Sequence, residues 1–311
     1  MTVESGYKMH DRWHWGPGNH SLRGMTHGHA ANGDPWRAVN VMYWHPGHKE
    51  IRSWGTNPFS RSVFDGVTTV KDGKIEFVAD LYQVGNLRKV TFETEFDGPD
   101  KHFFRLFEET SPGTKTRMFE LVYHRAAAIT PVAIPEADKA PKPSALTEQL
   151  VSQIAGAWQS TGTATGTWLS GSSPQVESTF EWVPYADGVY ASVIASPANG
   201  GESTQLLDIY LYHHTGRGVL RCLALSNRGP TGGVYEGDVT ILEGGSLQID
   251  LNGYEGDQVI PHTARIDFNE DRTVHTQIWT TAATDNAGSA ERSLVLDMQH
   301  QRVKSSPPAS K

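Results

Sequence analysis

Seven of the 14 histidines crowd between His10 and His48. His27 and His29 are one residue apart. On a strand, positions i and i+2 face the same side, so their imidazoles would project together. Neutral imidazole is a good ligand for Zn, Cu, Ni or Fe. His20, His27 and His29 are therefore the candidate metal ligands, with His14, His45 and His48 as further donors. His-x-His in a glycine-rich segment also suits solvated rim histidines, so no metal is assigned and no other cofactor is expected. Without metal the same residues suit proton transfer, because an unperturbed histidine titrates near ~6.5. His14, His27 and His29 form the candidate acid–base set. Arg12 and Arg23 would add positive charge for an enolate, carboxylate or phenolate. If this stretch is a strand, His10, Arg12 and His14 share one face, and Asp11, Trp13 and Trp15 share the other.

The nine tryptophans supply the apolar counterpart. Trp13, Trp15, Trp36, Tyr43, Trp44 and Trp54 enrich the same region and are the candidate ligand-binding residues. This makes the first half of the chain the expected ligand site and the second half the expected scaffold.

The elements that would position these residues occur twice. Tyr43-Trp44-His45 to Arg52 recurs as Tyr212-His213-His214 to Arg221, a shift of 169 positions from 52 to 221. Trp15 recurs as Trp182, and Val63-Phe64-Asp65-Gly66 recurs as Val234-Tyr235-Glu236-Gly237. A period this long is a duplicated domain, not a solenoid repeat of roughly 20–50 residues. Aromatics kept in both halves read as core. The aligned acids Asp65 and Glu236, each before a glycine, read as turn residues satisfying backbone N–H groups. The aligned His45 and His214 read as structural.

Short runs of alternating polarity, such as 74–81, 89–96 and 246–251, predict strands with one wet face. Asp72-Gly73 and Gly244-Gly245 predict hairpin turns at matching places, and 269–272 predicts another. Strands separated by tight turns predict an up-and-down all-β chain of two tandem antiparallel barrels. The expected first barrel spans 1–128, a Pro-rich linker 129–143, the second barrel 144–302 and a disordered tail 303–311. One helix is expected to open the second barrel. Ser144 can cap it, and Leu146, Leu150, Val151 and Ile154 fall on one stripe. The first half has only Met1 to Asp11 before its Trp15 block, so its opening elements are expected to be missing, shortened or replaced from elsewhere.

A helix, then Gly156-Ala157-Trp158, then an antiparallel meander resembles the lipocalin-like (calycin) superfamily. The duplicated form resembles carotenoid-hydratase-like and Diels–Alderase-like lipocalin proteins. The resemblance implies barrels that hold a small, mostly apolar molecule. It carries over no catalytic residue.

A net charge of −8 and no basic stripe give no support for a nucleic-acid partner. No apolar run approaches the ~20 residues of a membrane-spanning helix. No signal peptide is visible, so the expected location is the cytoplasm. The single cysteine, Cys222, forms no intramolecular disulfide and is expected to be buried. Phosphate-loop, dinucleotide and Gly-x-Ser-x-Gly motifs are absent. The expected function is cofactor-independent acid–base chemistry on a small apolar or aromatic molecule, of the lyase, isomerase, hydratase or cyclase type. The alternatives are a non-catalytic carrier or sensor, and a histidine-coordinated metal enzyme. The expected partner is the small molecule, with a homo-oligomer also compatible.

Overall fold

A computed structural model describes residues 8–29, 35–57, 61–126, 143–165, 175–185, 187–198, 202–227, 232–269, 273–281 and 292–303. The linker from 127 to 142, the 270–272 turn and the tail from 304 lie outside these residues. So do the side chains of Pro35, Trp36 and Arg37.

The first domain is one nine-stranded antiparallel sheet in chain order. Its strands are β1 (Lys8–Trp15), β2 (Ser21–His29), β3 (Pro35–His45), β4 (Glu50–Asn57), β5 (Ser62–Lys71), β6 (Lys74–Gln83), β7 (Asn86–Phe96), β8 (Lys101–Ser111) and β9 (Thr114–His124). The second domain opens with α1 (Ala145–Ile154) and closes ten strands into a barrel. These are β10 (Gly156–Ala164), β11 (Gln175–Tyr185), β12 (Gly188–Pro197), β13 (Thr204–His214), β14 (Val219–Ser226), β15 (Gly233–Ile241), β16 (Leu247–Glu255), β17 (Gln258–Phe268), β18 (Thr273–Thr281) and β19 (Arg292–Arg302).

Local chemistry sets the ends of these elements. The Ser144 hydroxyl accepts the Thr147 N–H at 3.2 Å and caps α1. Leu150 and Ile154 are buried under the barrel, and the Trp158 Nε1–H donates to the Ile154 carbonyl at 2.8 Å. This bond fastens helix to first strand. The turn at Asp72-Gly73 takes positive φ at both residues, as a two-residue hairpin loop requires.

Strands β1–β9 match β11–β19 one for one. The 169-residue shift carries β3 onto β13 and β4 onto β14 end to end, and a shift of 172 carries β7 onto β17. Among the described residues the strand without a counterpart is β10, which pairs with both β11 and β19 and closes the second barrel. The first domain is a half-barrel among the described residues. Its edge strands meet through side chains, with Tyr123 Oη 3.8 Å from Met9 Sδ.

The aligned glycines have a specific task. A Cβ at Gly66 would collide with the Val78 carbonyl, and one at Gly237 with the Asp250 carbonyl. The neighbouring strand passes too close for any side chain. The acids before them are not turn residues. Asp65 and Glu236 sit within β5 and β15, where Asp65 accepts from Arg52 at 2.9 Å. The expectation that they satisfy turn N–H groups is corrected by their place in the ladder, whose backbone donors are already paired.

Candidate functional site

Side chains repeated in both halves meet between the domains. Val39, Val41, Tyr43, Trp54 and Val63 pack against Tyr185, Tyr210, Tyr212, Leu223, Leu225 and Val234 in one buried cluster. The contacts are reciprocal. The His45 ring lies 4.5 Å from the Tyr254 ring, and the His214 ring lies 4.6 Å from the Tyr82 ring. Tyr254 covers Gly47, and Tyr82 covers Gly216. Each residue of one half touches what its own duplicate touches in the other, as in an isologous dimer. The paired tyrosines thus belong to the seam between domains, not to either barrel interior. Burial pushes the Tyr43 hydroxyl well above its ordinary range, and it stays un-ionised.

The five expected acid–base residues share this outer face. In the β1–β2 ladder His14 faces Arg23, Arg12 faces Met25, and His10 faces His27. Arg23 and Met25 in turn pair with Val41 and Val39. The structure therefore gathers Arg12, His14, Arg23, His27 and His29 on one side of the sheet, outside the barrel. His14 titrates below its usual value through slight desolvation and the charges of Arg12 and Arg23. Arg23 reaches across the seam. Its guanidinium lies 3.6 Å from Asp208 and stacks 4.4 Å over the Tyr190 ring. Burial raises the Asp208 carboxyl, against the pull of Arg23 and of its Ser192 and Gln205 partners.

His20 stands apart from His27 and His29, against Gly232 in a crevice with Trp44 and Ser226. Among the described residues the one three-ligand cluster is His45, His48 and Glu236, with donor atoms within 4.8 Å of one another. Here the His45 Nδ1 accepts the His48 backbone N–H at 3.1 Å. The ring proton then sits on Nε2, which faces Glu236 Oε1 at 3.8 Å. A nitrogen that carries a proton has no lone pair for a cation. This arrangement suits a polar contact across the seam better than a metal centre.

The expected aromatic ligand set is divided. Tyr43 and Trp54 are buried between the domains, at 4% and 2% exposure. Trp13 lies over Gly24 on the inner face of the sheet. Trp15 and Trp44 are exposed at the rim.

The cavity lies elsewhere, inside the second barrel. Its volume is about 140 Å³, and it is partly open to solvent. Its walls are apolar, with Trp158, Phe180, Trp182, Ile209, Phe268 and Met298 among them. Three of the lining residues, Ser178, Thr276 and His300, bring polar groups to it. His300 Nδ1 meets Ser160 Oγ at 2.5 Å, and its Nε2 meets Thr276 Oγ1 at 2.8 Å. Burial, helped by the His275 charge, lowers His300 to about 4, so the ring is neutral at physiological pH. A neutral ring between two hydroxyls is an orienting group with both nitrogens engaged.

The sequence held a signal for this site. Leu294, Leu296, Met298 and His300 alternate along β19, a polar residue ending an apolar row. It is a weaker signal than the seven histidines crowded between His10 and His48.

No protein-family model, no curated protein and no solved structure matches this chain. The fold and the cavity define its class. It is an all-β chain with a closed ten-strand antiparallel barrel and a half-barrel, compatible with lipocalin-like barrels. No described helix is long and apolar enough to cross a membrane.

Proposed function

We propose that this protein binds a small, mostly apolar molecule in its second barrel, as a lipocalin-like carrier or sensor. The observation that carries this reading is the apolar cavity of about 140 Å³ inside the barrel, partly open to solvent. An apolar cavity of ~150 Å³ takes a benzene-sized guest, so the ligand is of single-ring or short-chain size. The Ser178 and Thr276 hydroxyls would receive a polar atom of the ligand, with His300 orienting Thr276. Binding is favoured over catalysis because His300 has both nitrogens engaged. The expected acid–base histidines, His14, His27 and His29, lie on the outer face of the first sheet.

The test uses phenol as the probe, read by quenching of Trp158 and Trp182 fluorescence. Ala195→Phe fills the cavity wall and should weaken phenol binding at least tenfold. Thr276→Val, which conserves shape, should weaken it severalfold less. Equal binding by all three proteins, each folded by circular dichroism, would remove the proposal.

A further inference from the structure

Among the described residues the half-barrel has one strand fewer than its duplicate, which shows what belongs there. In the second domain β10 lies between β11 and β19 and is antiparallel to both. Strands β1 and β9 are the counterparts of those two, and they end the first sheet. Among the described residues each edge strand presents a row of backbone N–H and C=O groups without a ladder partner.

The registers locate the slot residue by residue. Ser160 of β10 pairs with Ser178 on one side and His300 on the other. Ser178 corresponds to Asp11, by the same shift that carries Trp15 onto Trp182. His102 pairs with Tyr123 as Val274 pairs with His300, so Tyr123 corresponds to His300. In the first domain nothing among the described residues stands between them. The Tyr123 hydroxyl instead reaches over to Asp11 and Met9. A tyrosine and a methionine meeting tip to tip span more than one ladder step of ~4.8 Å. The gap is bridged by side chains, not by backbone bonds.

We infer that the slot between β1 and β9 is a docking site for one extended segment of another polypeptide, which adds a strand antiparallel to both edges. The occupant has the chemistry of β10. It is about eight residues long, the length of β1. Its inward positions are mostly small and uncharged, as Ser160, Gly162 and Ala164 are in β10. A serine or threonine hydroxyl at the central inward position would sit between Asp11 and Tyr123. Backbone hydrogen bonds supply affinity, and the small inward side chains supply selectivity, as in other strand additions.

The experiment is hydrogen exchange by mass spectrometry on the full chain. A synthetic peptide with the sequence of residues 156–164 is the probe. Without peptide, outward amides of β1 and β9 should exchange at least tenfold faster than those of β11 and β19. Added peptide should slow them at least tenfold and leave β4 unchanged. The same peptide with its backbone amides N-methylated at alternate positions should have no effect. A peptide with tryptophan in place of the central serine should also have none. Two outcomes overturn the inference. Fast exchange that the peptide does not slow means the slot takes no strand. Protection of β1 and β9 without peptide means another part of this chain already covers the edges.

Discussion

Replacing Arg23 by methionine tests how the two domains are held together. The Asp208 side chain is 1% exposed, and Arg23 is its nearest cation, at 3.6 Å. Methionine keeps an unbranched apolar side chain but removes the charge and the guanidinium that stacks on Tyr190. Breaking a buried pair by removing one partner costs about 3–5 kcal/mol, because the other charge is left uncompensated. The separation here exceeds a direct hydrogen bond, and Gln205 still donates to Asp208 at 3.0 Å. The lower end, about 3 kcal/mol, is therefore expected. For a domain of this size that is a fall of about 6–12 °C in Tm. The loss should depend on pH. Burial already holds the folded Asp208 carboxyl above its unfolded value of 3.8. The native state then binds more protons than the unfolded state, and stability falls as pH rises through that window. Removing Arg23 pushes the folded value higher and widens the window upward. Urea melts from pH 4 to pH 8 should show the variant's deficit growing with pH. Asp208→Asn in the same chain should recover most of it, since no charge is then left behind. A deficit below about 1 kcal/mol, or one that is flat with pH, would refute this account of the seam.

Other expectations are simpler. Gly66→Ala and Gly237→Ala should each destabilise strongly, by about 3 kcal/mol or more, because backbone must move to admit the Cβ; calorimetry on each variant checks this. His300 is held to about 4 in the folded state. The unfolded state therefore takes up a proton first, and stability is lost as pH falls from about 6.5 towards 4, by up to about 3 kcal/mol. His300→Gln should flatten that part of the stability curve, and an unchanged acid limb would contradict it. Cys222 is buried and its thiol is pushed up to about 12. It should resist alkylation in the native state and react once the chain is unfolded in urea.

Much of the architecture was legible in the residues. Period-two alternation reports one wet face, and it marked the strands at 74–81, 89–96 and 246–251 that became parts of β6, β7 and β16. Ser144 before an apolar stripe marked α1. The repeat of Tyr43 to Arg52 at Tyr212 to Arg221 marked two copies of one sheet. All of these are local or internally repeated signals, and a linear chain records such signals directly.

The site was less legible, and for a physical reason. Residue type tells which chemistry a side chain can do, whereas its surroundings depend on which face of a closed or open sheet it occupies. Alternation put His10, Arg12 and His14 on one face and His27 with His29 on one face, but only the β1–β2 register joined the two groups, and only the seam showed their side to be the outside. Tyr43 and Tyr212 were visible as a pair, yet only docking of the two domains put them in a shared seam with Trp54. Asp65 and Glu236 looked like turn acids because glycine follows them, until the neighbouring strands showed that the glycines yield to passing backbone. His300 lay within an ordinary apolar row; pairing with β18 brought Thr276 to one ring nitrogen, and ring closure by β10 brought Ser160 to the other. The sequence by itself determined strands, turns, helix and duplication, because these depend on neighbours along the chain. Closure of one barrel, the opening in the other, the seam and the cavity were decided by tertiary structure, because each joins residues that only long-range pairing brings together.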